Sequence, residues 1–303
     1  MAFYVYYIIT ALLLVECAAG IIVNVFLVAN NLQNWRTRKT LQTCDKILSC
    51  LATCRCFIFF FMILFSFFQL CFPWLLQNLV YTTSVMVGTM LLNYTNLWLT
   101  TILCVFYCLK IANYNHKLFL FLKTRISSLV HWLILASLII SVAFSLPTGW
   151  LVVYLDVEEI AHHSGENVNF TNITMVVKNK QNRFLLFLGG SLPPFLIFCV
   201  AIFLLIQSLW MHIRHMRCNG AGFRSPNLEV HFSAVKSMSL FLVLQVVYLA
   251  CMSVLISPTD NVFDTWKLPF TIITWSPPFL HSLYIIFSNT KLKETFLRKF
   301  LCR

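Results

Sequence analysis

Seven stretches of this chain are long and apolar enough to cross a bilayer, at roughly residues 6–30, 47–72, 81–110, 127–153, 184–210, 234–257 and 268–289. A helix rises about 1.5 Å per residue, so about 20 apolar residues cover the hydrocarbon core. A spanning segment must satisfy its own backbone in lipid, which makes stretches of this length helices. The expected fold is therefore an all-α bundle of seven transmembrane helices, one domain over residues 1–303. Composition supports this: 59% hydrophobic and 11% charged residues leave too little polar surface to coat a globule in water. A soluble enzyme, a nucleic-acid module and a disordered chain are excluded on that ground. The net charge of +12 does not restore nucleic acid as a partner, because Lys and Arg fall in short clusters between apolar runs.

Those clusters orient the bundle. Arg36, Arg38, Lys39 and Lys46 follow span 1, and Lys110, Lys117, Lys123 and Arg125 follow span 3. Arg214, Arg217, Arg224 and Lys236 lie between spans 5 and 6, and Lys291, Lys293, Arg298, Lys299 and Arg303 lie in the tail. The opposite side has only Lys178, Lys180, Arg183 and Lys267, with six acids, Asp156, Glu158, Glu159, Glu166, Asp260 and Asp264. Basic residues mark the cytoplasmic side. The expected arrangement is an extracellular amino terminus and a short cytoplasmic tail, with span 1 retained as a membrane helix. The outer segment 154–183 carries two glycosylation sequons, at Asn169 and Asn172. A third match at Asn93 lies inside span 3, out of a transferase's reach.

Most of the twelve cysteines lie within apolar runs, among them Cys17, Cys54, Cys56, Cys104, Cys108, Cys199 and Cys251, where a free thiol acts as a small hydrophobe. Neither Cys54-Arg-Cys56 nor His212 with His215 has the companions a zinc site needs. There is no HExxH or GxGD motif, so no catalytic set, metal or cofactor is expected.

Ionisable residues inside a span are costly and usually functional. Arg55 lies ~12 Å deep from the inner end of span 2, Asn24 ~9 Å deep in span 1, and His281 and Ser282 ~11–12 Å deep in span 7. The matching depths imply a polar knot in which Arg55 donates to Asn24, Ser282 and backbone carbonyls. It is either a clamp or a part that shifts on activation. Glu16 near the upper middle of span 1 is either a partner for a cationic ligand or a carboxyl hydrogen-bonded to a neighbouring helix.

Pockets in bundles form between helices. Thr89, Met90, Asn93 and Tyr94 in span 3, Gln245 and Tyr248 in span 6, and Thr271, Thr274 and Trp275 in span 7 lie in the outer half. They bring hydrogen-bonding and aromatic groups without net charge, which suits a small, largely apolar ligand with a few polar atoms. At the inner ends, Lys110, His212, Arg214 and Lys236 either set topology and touch anionic membrane lipid or form a docking surface for a cytoplasmic partner.

Seven spans, short loops and a 14-residue tail after Asn289 resemble the outline of a G-protein-coupled receptor. The residues narrow the likeness. Span 1 reads Glu16-x3-Gly20-x3-Asn24, then Trp35; Arg36-Thr-Arg38-Lys39, Asp45-Lys-Ile47-Leu48 and Leu51-Ala52-x2-Arg55 follow. Span 3 ends Val105-Phe-Tyr107-Cys-Leu109-Lys110-Ile111-Ala112-Asn113, followed by Phe119-Leu-Phe-Leu122-Lys123-x-Arg125-Ile126. Span 5 ends Leu204-Leu205-Ile206-x-Ser208-Leu209-Trp210-x-His212-x3-Met216, span 6 opens His231-x2-Ala234-x-Lys236, and span 7 ends His281-Ser282 and Asn289-x-Lys291-Leu292-Lys293. In order and spacing this is similar to the type 2 (bitter) taste receptors. The DRY, CWxP and NPxxY signatures of rhodopsin-like receptors are absent, and the second outer loop has no Cys.

The resemblance implies a plasma-membrane receptor for small-molecule bitter agonists, coupled to a heterotrimeric G protein with a gustducin (inhibitory-type) alpha subunit. It implies a ligand site on the outer-half residues named above and a G-protein contact on Lys110, His212, Arg214 and Lys236. Three positions depart from the family pattern: Thr89 for a frequent Trp, Tyr94 for a frequent His, and Ser225-Pro226 for Asp-Pro. The first two reshape the expected pocket, so relatives' agonists do not transfer. A small-solute transporter or channel is the alternative of another class, but it calls for paired ionisable residues along a path, and here the mid-membrane charges are Glu16 and Arg55. A pheromone-type vomeronasal receptor is the nearer alternative.

Overall fold

The computed structural model describes residues 2–39, 42–112, 114, 116–163, 170–218, 226–256 and 268–300. Eight α-helices and no strand occur among them: α1 (Ala2–Arg38), α2 (Thr43–Cys71), α3 (Leu79–Ile111), α4 (Lys117–His163), α5 (Phe170–Cys218), α6 (Pro226–Ile256), α7 (Leu268–Ser288) and α8 (Thr290–Phe300). A 3₁₀ turn, Pro73–Gln77, joins α2 to α3. The first seven helices are each long and apolar enough to span a membrane. The expected all-α seven-span bundle is therefore present.

Local chemistry sets several helix ends. Asn78 caps α3, its Oδ1 accepting from Tyr81 N at 3.1 Å. Asp45 in the first turn of α2 complements that helix's positive end. Within spans, hydroxyls bond back to carbonyls four residues earlier, as Thr10 does to Tyr6, Thr95 to Leu91 and Thr274 to Phe270. Such bonds satisfy these three hydroxyls within their own helices.

Two boundaries differ from expectation. The fourth span begins at Phe119, within a helix that starts at Lys117, not near residue 127. Lys123 and Arg125 read as loop residues by charge, yet Lys123 Nζ donates to the Ala112 carbonyl at 2.9 Å, so its charge serves the end of α3. The segment 154–183 reads as an outer loop, whereas α4 runs to His163 and α5 begins at Phe170.

The tail also departs from expectation. Asn289 Oδ1 accepts from Lys291 N at 3.1 Å and Leu292 N at 3.3 Å, which starts α8. Phe296 and Phe300 pack edge-on or tilted against Phe26 and one another, with Lys299 over the Phe26 ring. These contacts lay α8 against α1.

α3 is the most enclosed span: 72% of its apolar window is buried, against 22% for α4. The principal core holds Leu51, Ile58 and Phe59 of α2, Leu103 and Cys104 of α3, Phe198 and Leu205 of α5, and Phe241 of α6. Ser137, Ser141, Ser145 and Thr148 form a buried small-residue stripe on α4, whose main neighbour is α3. α1 and α2 approach closely at Gly20, where a Cβ would stand 2.5 Å from the Phe59 ring. Large apolar side chains such as Trp132, Ile139, Phe203 and Val246 are exposed on the outside. That face suits hydrocarbon as solvent.

Candidate functional site

Arg55 is the most consequential buried group. It is 1% exposed, on the face of α2 that packs inward. Its Nε donates to Asn96 Oδ1 on α3 at 2.9 Å, its Nη1 donates to Ser282 Oγ on α7 at 2.7 Å, and its Nη2 lies 2.8 Å from His281 Nδ1. Ser282 Oγ donates in turn to Asn24 Oδ1 on α1 at 2.8 Å, and Asn24 Nδ2 donates to the Gly20 carbonyl at 2.8 Å. A guanidinium has donors only. His281 Nδ1 must therefore accept, which puts the ring proton on Nε2. That nitrogen lies 3.3 Å from Ser237 Oγ on α6. The Phe241 ring covers the imidazole at 4.8 Å.

The expected knot of Asn24, Arg55, His281 and Ser282 is thus assembled, with one correction. Arg55 does not donate directly to Asn24 or to backbone carbonyls in these three bonds; it reaches Asn24 through Ser282. Asn96 on α3 takes the place given to Asn24. Asn96 and Ser237 went unrecognised from sequence. The only signal was Asn96 closing the polar run Asn93-Tyr-Thr95-Asn96. With them the knot joins α1, α2, α3, α6 and α7. A buried cation needs acceptors, and here neutral acceptors on α3 and α7 take one bond from each of its three nitrogens.

The nine outer-half residues separate into groups. Met90, Tyr94 and Tyr248 pack with Phe187 of α5 and Met252 of α6 in one aromatic-rich cluster. Tyr94 meets Phe144 edge-on at 6.4 Å, and Phe187 meets Tyr248 at 6.4 Å. Thr89 and Trp275 instead line a hollow with Ile58, Phe61, Met62 and Leu92. The hollow is too narrow for a water molecule, so a ligand there must part these side chains. Asn93 is buried and its Nδ2 donates to the Thr89 carbonyl at 2.9 Å, leaving Oδ1 to accept. Gln245 and Thr274 are buried, and Thr271 is half-buried. Gln245, Tyr248 and Met252 are spaced i, i+3, i+7 along one face of α6. Phe187 is the pocket-level residue that sequence reading missed, because an apolar residue in an apolar span carries no signal.

Glu16 is half-buried with the Ser276 hydroxyl at its carboxyl, which favours the hydrogen-bonded reading of that residue.

At the other end, Lys110, Arg214 and Lys236 are exposed. Lys110 Nζ sits 5.5 Å over the Phe106 ring, and the Arg214 guanidinium sits 5.7 Å over Trp210. The backbone of His212 lies in α5, but its side chain falls outside the described residues. Tyr114, just past α3, donates to the Leu204 carbonyl of α5 at 2.9 Å. Burial pushes the Tyr114 phenol up from its ordinary value, so it stays a donor at neutral pH. Asn169 lies outside the described residues, as does the side chain of Asn172 in the first turn of α5. Among the described residues no His, Cys, Asp and Glu group converges as a metal site.

A family profile described as taste receptor protein (TAS2R) matches residues 1–303. Taste receptor type 2 member 8 of Gorilla gorilla gorilla is 32% identical over 293 residues, covering 95% of this chain and 93% of that protein. Taste receptor type 2 member 9 of Homo sapiens is 32% identical over 289 residues, covering 93% and 90% respectively.

Proposed function

Since the chain belongs to the taste receptor (TAS2R) family, we propose that it binds small bitter compounds in the outer half of its bundle and activates a gustducin-type heterotrimeric G protein. It is a bitter taste receptor and a multi-pass membrane protein, not an enzyme. The amino terminus lies outside, by the Lys and Arg asymmetry, so the sequons at Asn169 and Asn172 face the glycosylation machinery.

The observation that carries the reading is the continuous hydrogen-bonded chain from α2 through His281 to Ser237 on α6, below a buried set of neutral polar and aromatic groups. Asn93 Oδ1, Gln245 and Tyr248 supply hydrogen bonds, and Met90, Tyr94 and Trp275 supply apolar surface. An agonist that prefers the arrangement with α6 displaced shifts the population by its differential affinity. Parting α5 and α6 from α3 exposes a cavity bordered by Lys110, Arg214 and Lys236 and by the stretch of α5 that carries His212, where the alpha subunit docks. The same cations contact anionic lipid in the resting receptor.

The test is calcium release in cells co-expressing this chain with a gustducin-chimeric promiscuous G protein, screened with a bitter-compound panel. The expected result is a concentration-dependent response, absent from mock cells and lost with Asn93→Ala at equal surface expression. A response that Asn93→Ala leaves intact would move the ligand elsewhere. Silence across the panel at confirmed surface expression would count against the agonist class.

A further inference from the structure

α3 and α5 lie side by side and run in the same direction. The Tyr94 hydroxyl lies 3.5 Å from the Leu186 carbonyl oxygen, and seven residues on Thr101 Oγ1 donates to the Pro194 carbonyl at 3.1 Å. Leu186, Gly190 and Pro194 are spaced i, i+4, i+8 and form one stripe of α5. Gly190 is buried, and a Cβ there would stand 2.7 Å from the Tyr94 ring, so the stripe faces α3.

The carbonyl between the two that α3 reaches belongs to Gly190. A helical carbonyl accepts from the N–H four residues on, or three residues on in a 3₁₀ turn. For Gly190 those residues are Pro194 and Pro193, both within α5, and neither has an N–H.

The facing stripe of α3 has the complementary group. Tyr94, Trp98 and Thr101 are spaced i, i+4, i+7. The Trp98 indole Nε1 is buried and has no hydrogen-bond partner. Helical side chains lean toward their own amino terminus while carbonyls point toward the carboxyl end. On two parallel helices in this register, the Trp98 ring and the Gly190 carbonyl converge on one level. An unpaired donor and an unpaired acceptor at membrane depth both call for a partner.

We infer that the α3–α5 seam holds a binding site for a single hydroxyl oxygen, which accepts from Trp98 Nε1 and donates to the Gly190 carbonyl oxygen. A hydroxyl is the smallest neutral group that does both; an ether or ketone only accepts, and an ammonium only donates. The site lies about one turn from the rings of Tyr94, Phe187 and Tyr248. The oxygen comes from water or from the hydroxyl of a ligand lodged among those rings. Only the second source rests on the outer-half pocket proposed above.

Ultraviolet resonance Raman spectra of the receptor in phosphatidylcholine nanodiscs test this, because indole bands shift with hydrogen bonding at N–H. The wild type minus Trp98→Phe difference isolates Trp98, and its band is expected at the hydrogen-bonded position. Pro194→Ala gives Gly190 a backbone donor, so the Trp98 band is expected to move toward the free position. Pro193→Ala, whose N–H serves Gly189, is expected to leave it in place. A free indole in the wild type overturns the site, and so does a bonded band that Pro194→Ala does not move. The wild-type difference decides the first point even if Pro194→Ala fails to fold. Phenol and anisole then separate the sources. A shift with phenol alone upholds the site with a ligand hydroxyl in it; no shift with either upholds it with water. A silent agonist panel would remove the ligand source and leave the Raman result standing.

Discussion

Arg55 and Ser282 are 227 residues apart in the chain and 2.7 Å apart in the fold. Ser282 accepts from the guanidinium and passes its own proton to Asn24. One hydroxyl therefore couples the second helix to the first through the seventh.

Removing the cation should be costly for that reason. Arg55→Ala strands Asn96, His281 and Ser282 in a dry interior, and losing one side of a buried charged network costs about 3–5 kcal/mol. The expected outcome is a steep loss of thermal stability in detergent and of surface expression. Arg55→Lys keeps the charge but not the planar fork that reaches three partners, so it should fall between the two. Full stability with signalling in Arg55→Ala would refute the network's role.

Ser237 is the contact between the network and α6. Its hydrogen bond is worth about 0.5–1.5 kcal/mol, which is roughly a 2- to 12-fold change in a two-state balance. Ser237→Ala should raise agonist-free G-protein activation by a factor in that range without loss of surface expression. Unchanged or lower basal activity would mean that this bond does not hold α6 at rest.

Gly20 sets how closely α1 approaches α2. A methyl group there meets the Phe59 ring at 2.5 Å, and Phe59 is itself buried in the core. Gly20→Ala should lower the midpoint of thermal unfolding, by about 1–3 kcal/mol of overpacking. Adding Phe59→Leu should recover part of the loss. No recovery in the double variant would place the cost elsewhere.

Tyr114 ties the segment after α3 to the Leu204 carbonyl. Tyr114→Phe removes about 1 kcal/mol and keeps the ring packed on Phe119. Hydrogen exchange should quicken in residues 112–118 and stay unchanged in the outer halves of α3 and α5. Uniform quickening would point to global destabilisation instead.

The sequence made the spans legible because hydropathy over about 20 residues is a property of one helix. It also exposed Asn24, Arg55, His281 and Ser282, since an ionisable or amide group at matched depth is conspicuous in an apolar run. Asn96 and Ser237 escaped because Asn96 is one of several polar residues in the run Asn93–Asn96 and a lone Ser can bond within its own helix, so only the rotation of α3 and α6 about their axes singles them out. The outer-half residues divided for the same reason: Thr89 and Met90 are neighbours in sequence but face different clusters. α8 was not seen because its 11 residues are too short for a span, and its caps and aromatic contacts involve the tail and α1 together.

The neutral company of Arg55 bears on how the chain is put together. Helices enter the membrane in order from the amino end, so Arg55 arrives with α2, well before α7. Asn96 follows soon after on α3, while the His281 and Ser282 partners come only with the last span. Until then two of the three partners of the guanidinium are absent. Insertion of the final span thus supplies the last acceptors for a charge that sits more than 200 residues upstream.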